Sequence, residues 1–389
     1  MANSPHLLVC TGEISGDLQA SYLIQALLRR DPHLRITAVG GERMAAAGAT
    51  LLQKTTAISS IGIVEALPFI GPALWVEWRI RRFLARDRPD LCVLVDYIGV
   101  NSRLSSVLQR QGIPAIYYIA PQEWIWTTSS RISFQLAERM RLMLAIFPQE
   151  AEFYEAAGGN VRWVGHPLLD ILSAAPDRLQ ARQHLGIPAD QMAVMLFPAS
   201  RNQELRHVAP VIFAAARLLQ QQLPQVKFWL PLAAERFAPP LLKLAKQQEI
   251  EITLLKPQGS REHQTILAAA DLIVAKSGTV NLESAILGIP QVVVYRVSRL
   301  TYWIGKTILN FSIPFMSPPN LVQMRLIVPE LFQEEAQPSR IAEEALALLT
   351  NPQRRQQMQQ DYQQMRLALG EPGVLDRAAS EILRVLASC

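Results

Sequence analysis

The stretch "LIVAKSGTVNLESAILGIPQVVVY" (272–295) contains one complete structural unit. An apolar run of strand length ends at Lys276, and Ser277-Gly278-Thr279 makes a turn. A helical segment carrying Glu283 follows, and a second apolar run, "QVVVY", closes the stretch. Strand, turn, helix and strand in that order predict two parallel neighbours joined by a helical crossover.

The same alternation extends in both directions. In the first half the strand candidates are "HLLVCTG", "RITAVGG", "DLCVLVD", "AIYYIAP", "LMLAIF" and "VRWVGHP". In the second half they are "AVMLFPAS", "KFWLPLA", "EITLLK", "LIVAKSG" and "QVVVYR". Amphipathic stretches separate them, so the fold class is α/β with two Rossmann-like domains facing across a cleft. The first domain spans 1–175 and the second 188–365. Between them, 176–187 reads as a linker with a short helix, and 366–389 ends the chain as a helix free to pack back on the first domain.

At 389 residues and 50% apolar content, the chain is long enough for two cores. Three cysteines without CxxC spacing point to neither a disulfide framework nor a zinc site, and a reducing cytoplasmic compartment fits. The six histidines are scattered and form no HxH or HExxH pattern, so no metal is expected. The start, "MANSPHLLVCTGEISGD", lacks the pattern of a signal peptide, and no apolar run reaches the roughly 20 residues of a spanning helix. A net charge of +5 favours anionic ligands. Its basic residues are dispersed and form no recognised nucleic-acid motif, so no nucleic-acid partner is expected.

Residues 70–90 stand apart. Trp75, Trp78, Ile80, Phe83 and Leu84 are interspersed with Arg79, Arg81, Arg82, Arg86 and Arg88. One reading is a helix in a membrane interface, where each basic residue near anionic lipid adds about 1 kcal/mol. The other is a helix packed on its own sheet with snorkelling arginines.

Residues suited to chemistry gather just after the strands. "TGEISGD" (11–17) brings Gly12 and Gly16 to a turn whose backbone N–H groups face outward. "DLCVLVDYIGVNS" (90–102) delivers a single carboxylate, Asp96, at a strand end, and "VGHPLLD" (164–170) delivers His166. In "LFPASRNQE" (196–204), Ser200 is placed to cap a helix beside Arg201, a combination that suits a phosphate. In the opening stretch, donors at Ser277, Gly278 and Thr279 suit a pyrophosphate, and Glu283 suits the two hydroxyls of a ribose.

Together these stretches resemble the lipid-A-disaccharide synthase family, glycosyltransferases of the GT-B type that act at the inner face of bacterial membranes. The resemblance is carried by "TGEISGDLQA", "VGGERMAAAGA", "APQEWIW", "FPQEAEFYEAAGGNVRWVGHPLLD", "FPASRNQE", "AKSGTVNLESAILGIPQVVVYR" and "PPNLVQMRLIVPELFQEEAQP", in order along nearly the whole chain. It implies transfer of 2,3-diacylglucosamine from its UDP-linked form to 2,3-diacylglucosamine 1-phosphate, with inversion and without cofactor or metal. It further implies that the second domain binds UDP through Ser200, Arg201, Ser277, Gly278, Thr279 and Glu283, with Asn320 and Gln333 on the nucleotide side. Gly12, Ser15, Gly16, Asp17 and His166 fall on the acceptor side, and residues 70–88 become the contact with the inner membrane surface. A homodimer is left open.

The chain departs from the family pattern at several places. The family strand usually ends Ile-Asp-x-Pro-Asp-Phe-Asn, whereas "VDYIGVN" keeps Asp96 and Asn101 but has Gly99 at the second aspartate. The family's "PSVWAW" appears as "PQEWIW", which introduces Glu123. Asp96 and Glu123 are therefore the expected catalytic carboxylates. The alternatives are a related enzyme on another UDP-amino-sugar, or a non-catalytic member that binds nucleotide sugar or lipid.

Overall fold

The computed structural model describes residues 4–55, 70–125, 131–298, 303 and 315–389. The chain divides into two compact units, 1–170 with 369–389, and 171–368.

The first unit is built on a seven-stranded parallel sheet. Its strands are β1 (His6–Cys10), β2 (Arg35–Gly40), β3 (Thr50–Lys54), β4 (Leu91–Val95), β5 (Ala115–Tyr118), β6 (Leu142–Ala145) and β7 (Val161–Trp163). Their spatial order is β3-β2-β1-β4-β5-β6-β7. The central β1 and β4 are buried at every position, because helices cover both faces and leave no side for polar residues.

In the second unit six strands follow the same plan. They are β8 (Met192–Phe197), β9 (Val226–Pro231), β10 (Ile252–Leu255), β11 (Leu272–Lys276), β12 (Gln291–Tyr295) and β13 (Glu330–Phe332), in the order β10-β9-β8-β11-β12-β13. Every strand read from the sequence is present. Sequence reading misses β3 and β13, which are short edge strands with partly exposed, mixed side chains and so lack a continuous apolar run.

Much of 176–187 is a helix, Arg178–Leu185, and it belongs to the second unit. Asp177 caps its start by accepting from the Gln180 N–H at 2.8 Å, and Gly186 ends it in the left-handed conformation. The buried Arg182 anchors it, donating to the carbonyls of Ala269, Pro188, Ala189 and Gln191 and pairing with Asp271 at 2.5 Å.

The helix Val374–Leu386 returns to the first unit and packs against the helix Ile14–Arg30. Asp170 accepts the N–H groups of Gly373 and Leu375 at 2.6 and 2.8 Å, and Arg30 pairs with Asp376.

The helix Ile70–Leu84 packs one side into the core and leaves large apolar side chains exposed on another. Val76, Ile80 and Leu84 recur every four residues and lie in the core. Leu74, Trp75 and Trp78 are exposed, and Arg79 and Arg82 lie over the two indoles at 5.2 and 5.4 Å. Among the described residues no helix is long and apolar enough to cross a membrane.

Candidate functional site

An open parallel sheet takes its ligand beyond the carboxyl ends of its strands, where the strand order reverses. That point lies between β1 and β4 in the first unit and between β8 and β11 in the second. Most of the candidate residues sit on the chain leaving these four strands.

At the first point, β4 runs directly into Asp96 and Tyr97, whose φ angles are 52° and 45°. Non-glycine residues in such conformations cost on the order of 1–3 kcal/mol each and persist only where their surroundings hold them. Here the Tyr117 hydroxyl donates to the Asp96 carbonyl at 2.9 Å, and the Asn101 amide donates to the same oxygen at 2.8 Å.

The carboxylate of Asp96 is thereby aimed at the β1 turn, where Oδ2 accepts from Ser15 Oγ at 3.2 Å, while Oδ1 accepts the Tyr97 N–H at 2.8 Å. Burial raises the Asp96 pKa, opposed by these two hydrogen bonds. A carboxylate raised in this way is better suited to take a proton near neutral pH. The Tyr97 ring covers Gly12, where any Cβ would overlap it.

Glu123 lies in the short 3-10 turn after β5, buried, and accepts a hydrogen bond from the Ser133 hydroxyl. Glu150 pins the loop before it, accepting N–H groups from Ala120 at 2.9 Å, Ile146 at 3.0 Å and Phe147 at 3.3 Å. Tyr154 adds a bond from its hydroxyl to the Pro121 carbonyl at 2.9 Å. Burial pushes the Glu150 pKa up to about 7.

The second point brings two cations, Arg201 and Lys276, to one carboxylate. Glu204 Oε2 accepts the N–H groups of Ser200 and Arg201 at 2.6 and 3.0 Å and the Ser200 hydroxyl at 3.0 Å. Its Oε1 stands 3.7 Å from both Arg201 and Lys276. Opposite, Ser277 Oγ donates to the Met316 carbonyl at 2.5 Å and the Gly278 N–H to Asn281 Oδ1 at 2.7 Å. Thr279 is exposed at the first position of the helix Thr279–Ile286. Glu283 is buried on that helix, with Oε2 2.9 Å from His263 Nε2.

A family model described as Lipid-A-disaccharide synthetase matches residues 7–384, a span that contains both points. The Gloeothece citriformis lipid-A-disaccharide synthase is 48% identical, over 97% of this chain and 99% of the relative. The Synechocystis enzyme of the same name is 46% identical, over 97% of each. The chain belongs to the lipid-A-disaccharide synthase family.

Solved structures similar to it confirm the GT-B type of fold. The S. aureus MnaA-UDP co-structure aligns with a TM-score of 0.69 at 12% identity, covering 98% of this chain and 97% of that one. Acinetobacter baumannii MurG aligns with a TM-score of 0.60 at 14% identity, covering 98% and 99%.

For this synthase-family chain, the structure gathers Gly12, Ser15 and Asp96 at the first point and Ser200 and Arg201 at the second. Other candidates have different neighbours. Asp17 is committed to the loop after β2, accepting N–H groups from Gly41 at 2.8 Å, Met44 at 3.3 Å and Arg43 at 3.4 Å. Gly16 lies against the Thr11 side chain.

His166 is buried, packs against the Phe147 ring in a tilted arrangement with centroids 5.1 Å apart, and receives the Leu168 N–H on Nδ1 at 3.2 Å. Burial lowers its pKa to about 3, so it is neutral. Asn320 uses both amide hydrogens, on the Val328 carbonyl and Glu330, and accepts the N–H groups of Ile327 and Val328. Gln333 bonds both ways with Val297. Both hold loops beyond the strand ends.

Sequence reasoning passes over Lys276, Glu204 and His263. Lys276 and Glu204 lie in the quoted motifs, and only the strand order β8-β11 reveals that they meet.

Tyr97 is missed in the same way. A Cβ at Gly99 would lie 3.1 Å from the Tyr97 hydroxyl, so the tyrosine borders the place where the family pattern has its second aspartate.

Proposed function

We propose that this chain transfers 2,3-diacylglucosamine from its UDP-linked form to 2,3-diacylglucosamine 1-phosphate, giving the disaccharide 1-phosphate and UDP. The reading is supported chiefly by the two switch points of one synthase-family chain, which carry complementary chemistry: a carboxylate with a raised pKa in one unit, cations in the other.

The acceptor's 6-hydroxyl oxygen attacks the anomeric carbon of the donor and forms the new C–O bond. The bond from that carbon to UDP breaks, its electron pair leaves with UDP, and configuration inverts. Asp96 takes the hydroxyl proton, a role worth roughly 10²–10⁴ in rate. Asp96 suits it better than Glu123, which is buried beneath its loop with Ser133.

Arg201 meets the charge growing on the departing diphosphate. Thr279 and Glu283 contact the nucleoside, while Ser200, Ser277, Gly278, Asn320 and Gln333 hold the surrounding loops. Mass spectrometry after incubation with both acylated substrates should find the disaccharide 1-phosphate in step with UDP; UDP released without disaccharide would overturn the assignment.

The acyl chains bring the enzyme to the cytoplasmic face of the inner membrane through the helix Ile70–Leu84. There the indoles of Trp75 and Trp78, 50% and 52% exposed, insert beside Arg79 and Arg82. Sedimentation with phosphatidylglycerol vesicles should be lost in the Trp75→Ser/Trp78→Ser variant. Undiminished sedimentation would remove this surface from the membrane contact.

A further inference from the structure

Lys276 is the last residue of β11, one position before the Ser277-Gly278 turn. A lysine at a strand end ordinarily extends into water, but this side chain is only 14% exposed. It folds over Gly278, where a Cβ would overlap its ammonium group. A side chain at 278 would displace the amine from this place.

Among the described residues, Glu204 and Glu283 favour the charge of the amine and Arg201 opposes it. Among the described residues the carboxylate close to the amine is Glu204, which is shared. One of its oxygens is occupied by Ser200 and by the Arg201 N–H, and the other stands 3.7 Å from Arg201 and Lys276 alike.

That separation is too long for a hydrogen bond. Covering an ammonium group is costly unless good partners repay it, and half of one carboxylate at this distance is a poor partner. Two cations thus share one carboxylate oxygen, and neither has a short ion pair with it, at the point where the sheet takes its ligand.

We propose that Lys276 is a diphosphate-binding residue. Its ammonium and the Arg201 guanidinium turn from Glu204 to the two phosphates of a nucleoside diphosphate, in the bound donor and in the departing product. The inference rests on the donor reading of the second unit and adds a specific group to it. A lysine that only braced the fold through Glu204 would not distinguish a diphosphate from the bare nucleoside.

Calorimetric titration of the full chain with UDP, UMP and uridine tests this, using wild type, Lys276→Met and Lys276→Arg, each first checked by thermal melting. Wild type should bind UDP more tightly than UMP and uridine. Lys276→Met should weaken UDP by about 10- to 100-fold, the range for a hydrogen bond to a charged group, and leave uridine within twofold. Lys276→Arg should recover part of the loss.

Lys276→Met binding UDP within twofold of wild type would overturn the role of Lys276 alone. An equal loss for UDP and uridine would make the lysine a structural brace. Wild type that fails to bind UDP would overturn the donor reading itself, and this proposal with it.

Discussion

The two switch points have the same architecture and opposite chemistry. Each lies where a βα sheet reverses its strand order, between β1 and β4 or between β8 and β11. At the first, the chain leaves β4 in a strained backbone and presents a carboxylate to a serine hydroxyl, Asp96 to Ser15. At the second, Arg201 and Lys276 converge on Glu204. Topology thus decides where a ligand sits, and the few residues leaving each strand decide which ligand and what is done to it. A group-transfer enzyme needs both kinds, one to remove a proton and one to receive negative charge.

The sharpest break of this comparison is Asp96→Asn. It should lower kcat by roughly 10²–10⁴ while UDP affinity stays near wild type, because only the first point is touched. A rate within a few-fold of wild type would move the base elsewhere, with Glu123 next in line.

Arg201→Ala acts on the other side. It should weaken UDP binding by about 10- to 100-fold, the range for a hydrogen bond to a charged group. Equal losses of uridine and UDP affinity would show that the arginine shapes the pocket and does not contact phosphate.

The smallest effect concerns the buried acid behind the first point. The folded pKa of Glu150, about 7, exceeds the ordinary 4.5, so the folded chain holds this proton more tightly than the unfolded chain. The associated stability is full below about pH 4.5 and is lost as pH rises through 7. Melting temperatures at pH 5, 6, 7 and 8 should therefore show wild type losing ground against Glu150→Gln as pH increases. Parallel curves would mean that Glu150 does not titrate in this range.

Part of the site is legible in the amino-acid sequence alone. Asp96 and Arg201 stand out because each follows an unmistakable apolar run, and the carboxyl end of a parallel strand is where ligands bind. Asn320 and Gln333 are different: their motifs draw attention, yet their side chains bond to nearby loop backbone. A motif marks a residue as constrained without saying whether ligand or fold constrains it. Asp17 is a further case, a carboxylate beside a glycine turn whose partners come from the loop after β2.

By itself, the sequence determined the α/β class, nearly all the strands and the residues at their carboxyl ends, since apolar period and turn chemistry are local properties of the chain. Only tertiary structure decided that Lys276 lies beside Glu204, that Tyr117 and Asn101 hold Asp96 in a left-handed backbone, and that His166 is buried and neutral. These outcomes depend on which distant strands become neighbours and on how far each charge is removed from water, and neither quantity is carried by any single segment.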